Sequence, residues 1–322
     1  MNTKALLLAA YGRVLRSIKP NSGLTPLCHN AVVDWLAAEL PGVVDSTTSD
    51  GYKIVVSPKD YHGRILMLTG SNDFKVSRVV NALLSPGDVF LDIGANYSTI
   101  GLKAAGRVRP GGHVHLFEPQ PALADAVQAA IEAAGLQQLV SLHRLALYDR
   151  DGTMMMRIPA SHSGMATIAP QQQRDTSDWT TAEVCTRSAR DCVSELTRGQ
   201  RFGVKIDVEG AEPAILPGLL EVGKMMFCVF EGDRNQEKIF QMFSGAGYQV
   251  YGLCKTLLFP RLSIVNTLSD WPQFHDFLAV PADIRIDRQR FPLPLLAAAM
   301  QARPNEREPG DGAEDERKAV AC

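Results

Sequence analysis

Val89-Phe90-Leu91-Asp92-Ile93-Gly94-Ala95-Asn96-Tyr97-Ser98 is the stretch that decides the fold. Four apolar residues and one acid run up to a glycine, and helix-compatible residues follow at once. A short apolar run closed by a turn signal reads as a buried parallel strand, a tight turn and a helix N-terminus. A cofactor is expected at that turn, because open α/β sheets bind ligands outside the carboxyl ends of such strands.

Working outward, apolar runs alternate with helical stretches. His113 to Phe117 reads as a strand, Pro121 to Ala134 as a helix and Leu139 to Leu147 as a strand. Phe202 to Asp207, Met225 to Glu231, Tyr248 to Leu253 and Phe277 to Pro281 continue the series, with helices near Ala211 to Leu220 and Gln236 to Phe243. This alternation predicts βαβ units, and hence a doubly wound α/β fold: a mostly parallel sheet of about seven strands with helices on both faces. Between residues 154 and 183 the periodicity fails, and an irregular insertion over the sheet is expected.

Upstream, residues 1–84 read as a cap. An amphipathic helix with Leu6, Leu7, Ala10, Val14, Leu15 and Ile18 on its apolar side ends at Pro20, and a second helix runs from His29 to Leu40. Asn72 to Leu84 is a third. Lys53 to Ser57 and Arg64 to Leu68 are β-like runs flanking a Pro-Gly turn and suggest a hairpin. The main domain is expected over 85–290. The segment 303–322 carries Pro, Gly and charge without apolar periodicity, and disorder is expected there.

With 33 basic and 35 acidic residues in 322, the chain has no basic field of the kind that draws proteins to nucleic acid. No run approaches the roughly 20 apolar residues that cross a bilayer, although a basic amphipathic helix such as the first can lie on an anionic membrane. The six cysteines form no C-x-x-C pair and no zinc spacing. A reducing compartment, the cytoplasm, is expected. Oligomeric state is not legible.

Gly94 stands where a Cβ would obstruct the turn. A dinucleotide fold would show G-x-G-x-x-G, but only the first glycine is present in Gly94-Ala95-Asn96-Tyr97-Ser98-Thr99. A nicotinamide oxidoreductase is therefore disfavoured. Asn96 and Ser98 offer hydrogen-bonding side chains, which suit a zwitterionic amino-acid tail better than a diphosphate. Glu118 follows the next strand, and a carboxylate there can accept hydrogen bonds from both hydroxyls of a ribose. The competing reading is that Asp92 caps a helix or turn and Glu118 is a solvated strand end before Pro119. Lys205-Ile206-Asp207-Val208-Glu209-Gly210-Ala211-Glu212 then sets three acids at the carboxyl end of another core strand.

Asp92-Ile93-Gly94-Ala95-Asn96, Phe117-Glu118-Pro119, Ala146 to Gly152 and Lys205 to Glu212, in this order, resemble the FkbM family of S-adenosylmethionine-dependent methyltransferases, with the class I architecture. The resemblance covers roughly Asp88 to Pro281. It implies that Asp92, Gly94 and Asn96 line the methionine end of S-adenosylmethionine, that Glu118 holds the ribose hydroxyls and that Ala146 lies near the adenine. Ser98 departs from the family, which usually has glycine there. Its small side chain is expected to cap the following helix.

Methyl transfer from a sulfonium needs an aligned acceptor and a group that removes the acceptor's proton. Asp207 is the first choice for that base, then Glu209, then Glu231. The acids could equally hold a divalent ion. A hydroxyl of a sugar, a glycan or a natural-product small molecule is the acceptor that the resemblance implies, and His162, in the irregular insertion, is a candidate contact to it. The second reading is a methyltransferase-like domain that binds a glycan or partner without catalysis.

Overall fold

The computed structural model describes residues 3–18, 24–169, 178–232, 235–254, 261–265, 267, 269 and 274–283. The charged tail expected over 303–322 lies outside the described residues.

The chain begins with α1 (Thr3–Ser17), α2 (Thr25–Cys28) and α3 (Ala31–Ala37), continues through β1 (Val44–Thr47) and β2 (Lys53–Val56), and reaches α4 (Tyr61–Thr69) and α5 (Phe74–Leu83). The ribbon expected between Lys53 and Leu68 is not formed: β2 pairs antiparallel with β1, and Arg64 to Leu68 is helical. The physical reason lies at the ends of that segment. Asp60 accepts a hydrogen bond from the Gly63 amide (2.8 Å) as N-cap, and Gly70 closes α4 in the left-handed conformation (φ 74°). Between these caps Ile65, Leu66, Leu68 and Thr69 are buried along one side.

Next come β3 (Val89–Ile93), α6 (Thr99–Val108), β4 (His113–Phe117), α7 (Pro121–Ala133) and β5 (Val140–His143), followed by β6 (Ala146–Tyr148), β7 (Gly152–Pro159) and β8 (Trp179–Ser188). Leu139 to Leu147 is thus two strands: β5 lies on the main sheet, whereas β6 joins a separate three-stranded sheet in the order β6-β8-β7. Both ends of the segment expected to be irregular from 154 to 183 are strands, because β7 and β8 pair antiparallel from Gly152↔Thr186 to Pro159↔Trp179. A short 3-10 turn at Ser163–Met165 follows β7.

The chain completes the main sheet with α8 (Ala189–Thr197), β9 (Phe202–Ile206), α9 (Glu212–Val222), β10 (Met225–Glu231), α10 (Gln236–Gly245), β11 (Tyr248–Cys254), β12 (Arg261–Ile264) and β13 (Asp276–Pro281). Its order is β12-β11-β13-β10-β9-β3-β4-β5. The five strands from β10 to β5 are parallel; β13 runs antiparallel between β10 and β11, and β12 is an eighth, edge strand beyond the seven expected. β4 and β5 are added on one side of β3 and β9 and β10 on the other. The switch point therefore falls between β3 and β9, where an open sheet presents its crevice.

Side chains of β3 alternate between the two faces. Val89, Leu91 and Ile93 join the core under α8, α9 and α10, whereas Phe90 joins the core under α5, α6 and α7. Val76, Val79 and Val80 of α5 and Ile54 and Val56 of β2 share that second core, so the N-terminal elements pack directly on the sheet. Each fully buried aliphatic or aromatic side chain here contributes roughly 1.5–3 kcal/mol. No helix among the described residues is long and apolar enough to cross a membrane.

Candidate active site

The turn after β3 is fixed by what it packs on. Gly94 has φ 76°, and a Cβ there would stand 2.0 Å from the Asp207 carbonyl oxygen. Only glycine meets both conditions. The amides of Gly94 and Ala95 donate to the Phe117 carbonyl (3.1 and 3.0 Å), which turns the chain across the end of β4. Asn96 and Ser98 also adopt positive φ (50° and 53°). Ser98 does not cap α6 with its side chain, because in this conformation its buried hydroxyl meets no partner. Asp92 supplies the cap instead, accepting from the Gly101 amide at 3.1 Å.

Asp92 lies opposite Lys205 in the pairing of β3 with β9. Both are buried, and Lys205 Nζ is 3.4 Å from Asp92 and 3.4 Å from Asp207 while donating to the Gly94 carbonyl at 2.7 Å. Burial alone would lower the lysine's pKa, but Asp207, Asp92 and Asp73 around it raise it, so the ammonium is retained. Asp92 therefore braces the floor of the cleft and does not line it.

Glu118 is 2% exposed and still faces the cleft. Its two oxygens accept from the Asn96 amide (2.8 Å) and the Gln120 amide (2.9 Å), which fixes the plane of the carboxyl. Burial pushes its pKa up to about 7, against the pull of those two hydrogen bonds. Above this group, Ser163 joins three parts of the chain. Its amide donates to Asp60 (2.6 Å), its hydroxyl accepts from the Asn96 side chain (3.1 Å), and its carbonyl accepts from the Gln120 side chain (3.1 Å). The far end of the cleft is apolar, with Ala146, Leu147, Met156, Ala166 and Ile168.

A second cavity adjoins the cleft. His62, Asp73, Gly164, Lys205 and Asp207 line both; His162, Glu209, Glu231 and Asp276 line only the second. Carboxylate oxygens of Asp207, Glu209 and Glu231 lie within 4.8 Å of one another. Carboxylates so close repel one another, and cations or hydroxyl donors that share their charge hold them together; Lys205, 3.4 Å from Asp207, answers part of that charge. His162 stacks on Tyr61 (4.3 Å between ring centres) and meets His62 edge-on (5.0 Å). Burial lowers the pKa of both histidines, leaving them neutral at pH 7.

The sequence candidates thus separate. Gly94, Asn96, Ser98, Glu118 and Ala146 line the cleft; Asp207 stands where cleft and cavity meet; Glu209, Glu231 and His162 face the cavity alone. Asp92 lies below the cleft. Glu212 is the first residue of α9 and buried, its carboxylate accepting from the Val208 amide (3.3 Å). Asp60, His62, Asp73, Gln120 and Ser163 were not singled out by sequence reading. Asp60 and Asp73 carry a signal, since each immediately precedes a helix, but that signal also marks an ordinary cap.

Residues 92–250 match the family described as "Methyltransferase FkbM domain". No curated protein matches the chain. Among solved structures, an FkbM methyltransferase from Methylobacillus flagellatus KT aligns at 13% identity and TM-score 0.40, covering 62% of this chain and 47% of that one. This chain therefore spans about half the length of that protein. The O-methyltransferase TomG from Streptomyces achromogenes, solved with SAM, aligns at 13% identity and TM-score 0.38 over 64% of this chain and 79% of its own. A precorrin-6y C5,15-methyltransferase from Geobacter metallireducens GS-15 gives 13% identity and TM-score 0.35, covering 64% and 86%.

Proposed function

We propose, from the membership of residues 92–250 in the FkbM family of S-adenosylmethionine-dependent methyltransferases, that this chain methylates a hydroxyl of a sugar, glycan or natural-product small molecule. The observation that carries the reading is the second cavity: a carboxylate-rich chamber that shares Asp207, Asp73 and His62 with the cleft. Bound in the cleft, S-adenosylmethionine supplies a methyl group on a positively charged sulfur.

The cleft's own residues fit that ligand. Glu118 presents oxygens already oriented by backbone amides, and a fixed carboxylate suits a vicinal diol. The apolar end from Ala146 to Ile168 suits an adenine ring, and the polar turn at Asn96 suits an amino-acid tail. In the second cavity, Asp207, Glu209 and Glu231 accept hydrogen bonds from acceptor hydroxyls, and His162, stacked on Tyr61, offers a ring face to the acceptor. Asp207 is held in place by Lys205 at 3.4 Å, so it orients the acceptor hydroxyl at the border of the two spaces. A carboxylate of this cavity takes the proton that the hydroxyl must lose.

Unpaired thiols at the buried Cys28, Cys192 and Cys228 support a cytoplasmic setting for this chemistry. Calorimetry with S-adenosylmethionine, followed by incubation of the chain with methyl-labelled donor and fractionated glycan and small-molecule pools, tests the reading. Heat on binding and a labelled hydroxylated product are expected. Absence of binding refutes it, and binding without transfer to any hydroxylated pool identifies a binding domain instead. A chelator arm in the same assay reports whether a divalent ion accompanies the carboxylate trio.

A further inference from the structure

The acceptor's proton must leave at the border of the two spaces, so its destination has to line both. Three groups capable of taking a proton do so: Asp207, His62 and Asp73. Glu209 and Glu231 face only the acceptor side, and Glu118 only the donor side.

Asp207 is tied to the buried Lys205 ammonium. Its carboxylate is committed to that ion pair at 3.4 Å, which makes Asp207 an anchor for the acceptor. His62 is held differently. A Cβ on Gly164 would come within 2.3 Å of its Cε1 and 2.7 Å of its Nδ1, so that edge of the ring packs against the backbone at Gly164. Burial also lowers its basicity.

Asp73 stands apart. It immediately precedes α5 in the left-handed conformation (φ 49°), a strain that an aspartate in front of a helix normally offsets by capping. Here the side chain makes no capping bond, and among the described residues its carboxylate has no hydrogen bond and no ion pair. Lys75, two residues on, is paired with Asp276. Strain held without a local structural return is a mark of a functional position. Asp73 is exposed as a residue, yet desolvation of its carboxylate at the cavity wall, reinforced by Asp276 and Asp207 and opposed by Lys205 and Lys75, raises its pKa to about 7, close to the pH at which a base both is ionised and pulls effectively.

We propose that Asp73, contributed by the N-terminal elements outside the matched domain, is the general base that accepts the acceptor's proton, while Asp207 orients the acceptor. This inference rests on the reading of the second cavity as the acceptor site. In the step, the acceptor O–H bond breaks and its proton passes to an Asp73 carboxylate oxygen. The oxygen's electron pair forms the new bond to the methyl carbon as the carbon–sulfur bond breaks, and that bond's electrons return to sulfur, leaving a neutral thioether.

Asp73→Asn in the full chain tests the assignment, with His62→Gln and Asp207→Asn beside it. Methyl-labelled S-adenosylmethionine with a panel of free mono- and oligosaccharides serves as the probe, and calorimetry gives donor affinity. Asp73→Asn is expected to bind the donor within about threefold of the parent while kcat falls roughly 10²–10⁴-fold. At saturating donor, the parent's rise of kcat/KM for the acceptor with pH near 7 is expected to vanish in that variant. Independently of turnover, infrared difference spectra of the ligand-free protein across the same pH range should lose one of two titrating carboxyl bands in Asp73→Asn and the other in Glu118→Gln. An Asp73→Asn enzyme that keeps kcat and its pH dependence overturns the assignment and leaves the methyltransferase reading intact. So does loss of the pH dependence in His62→Gln alone. A parent chain that binds the donor but methylates no saccharide, while the Asp73 band titrates as described, overturns the acceptor reading and the base with it.

Discussion

Lys205→Met tests the electrostatic frame under the turn. Lys205 is 7% exposed and Asp92 1% exposed at their side chains, with 3.4 Å between them. Methionine keeps the length of the side chain and removes the charge, leaving Asp92 sealed beneath the cleft with only the Gly101 amide as partner. Removing one member of a buried ion pair costs about 3–5 kcal/mol, a large share of the ~5–15 kcal/mol that holds a typical domain together. The thermal midpoint should then fall roughly 6–20 °C, at ~2–4 °C per kcal/mol. The pH dependence is more discriminating. Burial already raises the Asp92 pKa above 3.8, with Lys205 opposing the rise, so loss of the lysine raises it further. A folded-state value above the unfolded one means that the native protein binds more protons, and stability falls as pH increases above the unfolded value. The deficit of Lys205→Met should therefore be smaller at about pH 4 than at about pH 8. Adding Asp92→Asn, which keeps an acceptor for Gly101, should recover more than half of it, a coupling of at least ~1.5 kcal/mol. Differential scanning calorimetry of the four proteins at both pH values measures this. A shift below about 3 °C at the higher pH, or an equal deficit with Asn at position 92, would refute the reasoning.

Three further outcomes follow from the geometry. Glu118→Gln should weaken donor binding roughly 10–100-fold, the worth of one charge-assisted hydrogen bond; in the parent, affinity should rise as pH increases through about 7 and the carboxyl ionises, and calorimetry of the variant should show that dependence gone. Asp60→Ala removes the α4 cap and the acceptor of the Ser163 amide, and about 1–3 kcal/mol of stability should go with them. Hydrogen exchange should then report faster exchange at Ser163 and in the first turn of α4, with the β3 amides unchanged. Gly94→Ala forces a Cβ to within 2.0 Å of the Asp207 carbonyl at a positive φ, so donor binding should be lost and the midpoint lowered; unaltered donor affinity would mean that the turn does not rest on Asp207.

The parallel core was legible because its strands are buried on both faces and carry short unbroken apolar runs closed by turn residues. The same feature misled at Arg64 to Leu68, where the four-residue apolar run from Ile65 is equally compatible with a helix, and only the caps Asp60 and Gly70 tell them apart. Leu139 to Leu147 looked continuous because an apolar pattern does not record the change of sheet between His143 and Ala146. Of the site, Gly94, Glu118 and Asp207 could be found since each ends a core strand at the carboxyl edge, where the fold itself concentrates chemistry. Asp73, His62 and Ser163 could not, because their proximity to that edge is created by tertiary packing of α4, α5 and the 3-10 turn.

Ser163 also has a consequence for kinetics. One residue ties the N-terminal elements, the turn after β3 and the segment after β4 together over the donor pocket, through Asp60, Asn96 and Gln120. Three chain segments distant in sequence are thus coupled at a single residue of the cleft wall, so a substitution at Ser163 should be felt in all three at once, and stopped-flow measurement of donor release in Ser163→Ala against the parent tests whether that coupling sets the release rate.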